Sequence, residues 1–126
     1  MDFKSIYDHL KENGIDVYPP AVYSGPCKKP YVVVRRGICS LNIDMNRQEY
    51  ELLIYIPYGK YATLEGYVED VQGHMNTLYP ELKLIDYGDP VYPDDDRKAY
   101  MTTLTYAVKK PLGINRIVER KKENGN

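Results

Sequence analysis

A chain of 126 residues is one domain's worth, enough for a single core and too short for two. Hydrophobic residues at 43% and charged residues at 28% exclude a disordered chain, and a formal net charge of −1 gives no overall pull toward nucleic acid or anionic membrane. No run approaches the roughly 18 apolar residues of a membrane-spanning helix. The opening MDFKSIYDHL has no basic segment ahead of an apolar one, so no export signal is expected and Cys27 and Cys39 are expected as free thiols in a reducing cytoplasm.

Asp2 can cap a first helix in which Phe3, Ile6, Tyr7 and Leu10 fall at i, i+3, i+4 and i+7, with Gly14 as its left-handed stop. Ile15 and Val17 alternate briefly before Pro19-Pro20. Residues 21–30 hold Gly25, Pro26 and Pro30 and read as a loop. The β-branched run from Tyr31 to Arg36 predicts a strand. Leu41 to Arg47 is polar and irregular, a turn or an exposed excursion. From Gln48 to Ile56, Tyr50, Leu52, Ile54 and Ile56 share one face while Leu53 and Tyr55 take the other, so both sides of this strand are expected to be covered.

Leu64, Tyr67, Val68, Val71, Met75 and Leu78 form the stripe of a second helix, with Glu65, Glu69, Asp70 and Gln72 facing away and Pro80 closing it. Gly66 and Gly73 suggest close packing against a neighbour or tolerance of bending. A strand follows around Leu82 to Tyr87, then the turn-rich GDPVYPDDDRK. A last strand runs from about Ala99 to Val108, with Tyr100, Thr102, Leu104, Tyr106 and Val108 alternating against Met101, Thr103 and Thr105.

This order predicts an α+β domain over 1–110: a mainly antiparallel mixed sheet with two helices packed on one face. Residues 111–126 are basic and too poor in apolar anchors to build a core. They read as a C-terminal extension, disordered or ordered by a partner. The aromatic inventory is 14 Tyr, one Phe and no Trp. It suits surfaces buried on assembly, and equally a chain that uses Tyr as its strand-forming aromatic.

The chemistry-bearing inventory is thin. His9 and His74 read as surface residues of the two helices, and Ser5, Ser24 and Ser40 stand in no nucleophile elbow. The two cysteines form no metal-ligand spacing, and no phosphate-cradling glycine motif is present. Asp94-Asp95-Asp96 lacks the alternating oxygen ligands and distal Glu of a calcium loop. Asp96-Arg97-Lys98 and Glu81-Leu82-Lys83 fit the acid-any-Lys element of metal nucleases, but a solvated turn accounts for the acidic run more simply. Neither catalytic residues, nor a cofactor, nor a metal are expected. Arg116, Arg120, Lys121 and Lys122 form a basic patch able to meet DNA phosphates or an acidic protein surface, or simply to solvate the extension.

Four segments resemble, in order and spacing, a family of small tail terminator or tail completion proteins of phages, prophages and phage-tail-like particles. They are FKSIYDHLKENGIDVY, KKPYVVVRRG, YIPYGKYATLEGYVEDV and YPDDDRKAYMTTLTY, which together span the chain to about Lys110. The resemblance implies a non-enzymatic virion protein, assembled in the bacterial cytoplasm and located on the tail. It implies a homo-oligomeric ring, typically a hexamer, that caps the head-proximal end of the tail tube. Its expected partners are the tube protein, the neck or head connector and, in a contractile machine, the sheath, with DNA only as passing cargo and no membrane. A tail-like bacteriocin would use the same part as a collar cap. Tyr58, Tyr61, Tyr92 and Tyr100, with the basic residues of the extension, are the candidate assembly interface. A head-completion or neck adaptor ring is the alternative within the class, and a metal-dependent nuclease the alternative outside it.

Overall fold

In a computed structural model, the described residues are 1–23, 25–41, 45–88 and 91–111. Helix α1 (Phe3–Glu12) starts where Asp2 takes an extended conformation and its carboxylate accepts from the Ser5 amide at 2.9 Å and the Ser5 hydroxyl at 2.8 Å. Ile6 and Leu10 are fully buried on its inner stripe, and Gly14, at φ +83°, turns the chain out of the helix.

Six strands form one sheet: β1 (Val17–Tyr18), β2 (Tyr31–Leu41), β3 (Met45–Pro57), β4 (Lys83–Asp86), β5 (Tyr92–Asp94) and β6 (Ala99–Pro111). The order is β1-β2-β3-β6-β4, with β5 also paired to β6. Among the described residues only the β1–β2 pair is parallel. Helix α2 (Leu64–Asn76) enters through a 3-10 turn at Tyr61–Thr63. Both helices lie on one face, over Val32, Val34, Leu52, Ile54, Ile56 and Leu104. The opposite face buries Tyr31, Leu53, Tyr55 and Met101 with Cys27 from the 21–30 loop, so both faces of β3 are covered. The architecture is the expected α+β one.

Several details differ from the sequence expectation. Of Leu41 to Arg47, expected as a turn or an exposed excursion, Leu41 and residues 45–47 are strand. Strand β2 continues to Leu41, β3 begins at Met45, and residues 42–44 lie outside the described residues. The reason is tertiary: β3 is paired on both sides there, Leu41 to Asn46 and Met45 to Pro111, so ladder bonds override a polar composition. The last strand likewise extends past Val108, to Pro111. The turn-rich stretch contains β5, a short strand that exists because the edge of β6 accepts it, Tyr92 opposite Met101.

Among the described residues nothing packs closely on Gly66 or Gly73, since a Cβ at either would meet no atom within 4 Å. The helix ends at Asn76, ahead of Pro80, as the Thr77 and Leu78 amides turn back to the carbonyls of His74 and Met75. His9 is not a free surface residue. It is half-buried and its Nε2 donates to the His74 carbonyl at 2.8 Å, tying α1 to the end of α2.

Candidate assembly surface

Three of the four sequence-predicted tyrosines converge where β3 ends. Pro57 closes the strand, the Tyr58 amide donates to the Lys98 carbonyl at 2.9 Å, and Gly59 at φ +87° sends the chain into the 3-10 turn. Tyr100, opposite Ile56 in the ladder, stands between Tyr58 and Tyr61. Its ring packs edge-on against both, with centroids 5.1 and 4.9 Å away. Tyr61 remains 57% exposed, so the corner presents an aromatic surface. Tyr92 is not part of it. Its hydroxyl points to the Met101 sulfur at 3.5 Å, on the face away from the helices, and its ring is exposed.

The acidic turn belongs to this corner as a brace. Tyr58 donates its hydroxyl proton to Asp95 Oδ1, and that bond holds the phenol's pKa up to about 12. Asp94 Oδ1 accepts from the Arg97 amide at 3.3 Å. Among the described residues no three His, Cys, Asp or Glu side chains converge to hold a metal. Lys83, of the second acid-any-Lys element, lies with its ammonium 5.8 Å from the centre of the Tyr79 ring.

Sequence reasoning missed the setting of Arg97. It leaves the acidic turn and runs under the 21–30 loop, donating to the Tyr23 carbonyl at 3.1 Å and the Tyr31 hydroxyl at 3.3 Å. Its guanidinium lies 5.5 Å from the Tyr55 ring centre. Tyr31 stacks on Tyr23 and Tyr55 with centroids 4.3 and 4.7 Å away, and burial raises its own pKa to about 12. The one available signal was a lone Arg beside an acidic turn in a Tyr-rich chain. Most of the tyrosines are at least half-covered in this way. Tyr61, Tyr79, Tyr87 and Tyr92 are the exposed ones.

The sheet has open edges. Strand β1 covers only Val32 and Val33 of β2, so the outer edge of β2 from Val34 onward has no strand neighbour among the described residues. The outer edge of β6 beyond Ala107 has none either. On the β2 edge strand itself, Ile38 is 67% exposed. Arg116, Arg120, Lys121 and Lys122 lie outside the described residues. The chain matches no model of a known protein family and no curated protein.

Proposed function

We propose that this chain is a tail terminator subunit, closing as a homo-oligomeric ring on the head-proximal end of a tail tube and joining it to the neck or head. The observation that carries the reading is the pair of open edges on opposite sides of β2–β3–β6. A head-to-tail contact needs two different surfaces on one subunit, and repeating it by rotation closes a ring. An edge of β2 and an edge of β6 are two such surfaces, each with unpaired backbone groups that a neighbour can satisfy. The aromatic corner of Tyr58, Tyr61 and Tyr100 adds a rigid contact at the other end of the same strands.

The test is to locate the tagged subunit on whole particles by electron microscopy. A single ring of density at the head-proximal end of the tube supports the proposal. Density along the tube, at the distal tip or nowhere on the particle contradicts it.

A further inference from the structure

Helix α2 and the β4–β5 side of the sheet stand apart at the surface, bridged there by the Gln72–Tyr87 hydrogen bond. Between them runs an open-sided groove of about 490 Å³, floored by Leu64, Val68, Val91 and Leu104. Glu65 and Glu69 line its helix side, and no cationic side chain lines it among the described residues. Neither glutamate has an ion-pair partner among the described residues. On the opposite side stands Tyr87, 62% exposed, whose hydroxyl accepts from the Gln72 amide at 3.2 Å. An apolar floor beside two unpaired carboxylates calls for an occupant with apolar anchors and interleaved cations.

The sequence contains one. After Pro111 come Leu112, Ile114, Ile117 and Val118, with Arg116, Arg120, Lys121 and Lys122 between and behind them. Ile114, Ile117 and Val118 have the i, i+3, i+4 spacing with which a helical turn fills a groove. Their own groove is out of reach. Strand β6 carries the chain away from Leu104 to Pro111, roughly 23 Å at ~3.3 Å per residue. Turning back, a chain extended as far as Ile114 and helical from there to Val118 covers only ~16 Å, at ~3.3 and ~1.5 Å per residue.

We infer that residues 112–126 of one copy dock in the α2/β4–β5 groove of a second copy, apolar side chains on Val68 and Leu104 and cations on Glu65 and Glu69. The inference rests on the self-assembly proposed above and names the clasp that would hold neighbours together. Each such contact is weak alone, but a ring closed on a template makes it intramolecular and so raises its effective concentration.

The test uses full-length chains in a Cys39→Ser background, one carrying Val91→Cys and the other Ile117→Cys. A second groove position, Glu69→Cys, stands in if the first folds poorly. Mild oxidation of the mixture should give a disulfide-linked heterodimer. Adding Glu65→Lys to the groove chain, with Glu69→Lys where Val91 carries the cysteine, should cut its yield about tenfold at low salt. Failure to form the heterodimer overturns the inference, as does a yield indifferent to the charge reversal. A link formed within single V91C/I117C chains overturns it in favour of docking in cis. An oligomer whose mass is unchanged by the charge reversal removes the clasp and leaves self-assembly standing.

Discussion

The Gln48 side chain donates to the Gly37 carbonyl at 3.1 Å and so fills the gap left where the β2–β3 register slips between Arg36 and Cys39. Gln48 is 5% exposed, its second amide hydrogen goes to the Glu49 carbonyl at 2.9 Å, and its oxygen accepts from Arg36 at 2.8 Å. Each hydrogen-bonding group of one buried carboxamide is therefore used to stabilise a bulge at the base of the open-edged strands. Gln48→Leu keeps the volume and strands the Gly37 carbonyl, and should cost about 1–3 kcal/mol in chemical denaturation. A loss under about 0.5 kcal/mol would mean that water replaces the amide there.

Val71 and Met75 are fully buried beneath α2. Truncating either to Ala removes methylenes from the core and leaves a cavity, so each variant should lose about 1–4 kcal/mol of unfolding free energy. Losses near zero in both would place that face of the helix in solvent.

Gly88 sits at φ +75°, and a Cβ there would lie 2.6 Å from the main-chain oxygen of Thr103. The obstacle is backbone, which cannot rotate away. Gly88→Ala should cost about 1–4 kcal/mol and shift the thermal midpoint down, whereas Gly66→Ala, in open space on α2, should be neutral or raise it. Equal effects at the two positions would contradict this placement of Gly88.

Tyr58, Tyr31, Tyr67 and Tyr106 hold their hydroxyl protons up to about 12, above the ordinary 10.0. For Tyr58 the first cause is the bond to Asp95, and for the others it is burial of the would-be phenolate. The folded chain binds these protons more tightly than the unfolded one. Their contribution to stability is therefore whole below pH 10 and is lost as pH rises through about 12. Tyrosinate absorbance should show this delayed group, and Asp95→Asn should return one member, Tyr58, toward the ordinary value. A titration unchanged by Asp95→Asn would remove the Tyr58–Asp95 bond from the account.

The thiols should react at different rates. Cys39 is exposed on β2, whereas Cys27, within the 21–30 loop, is buried against the sheet and burial raises its pKa. A thiol reagent should label one cysteine quickly in the native protein and the second only on unfolding. Equal fast labelling would mean that the 21–30 loop does not cover the sheet.

The elements legible in the sequence were those whose local pattern and tertiary role agree. The Phe3–Ile6–Tyr7–Leu10 stripe, the Leu64–Val71–Met75 stripe and the two-sided alternation of Gln48 to Ile56 each encode the face they bury. Strand β5 and the distal parts of β2 and β3 were not legible, because their strand state comes from partners distant in sequence. The convergence of Tyr58 and Tyr61 with Tyr100 was likewise hidden, since it depends on Ile56 and Tyr100 sharing a rung of the ladder. His9 looked like any helix-borne histidine until the turn after α2 brought the His74 carbonyl to it.

The central claim is that this subunit ends tube growth, and tail length in particles assembled without it tests that claim most directly. Electron microscopy of such particles should show overlong or headless tails, because nothing closes the tube at its head-proximal end. Tails of normal length beside heads that leak DNA would point instead to a neck adaptor, and wholly normal particles would contradict any structural role in the tail.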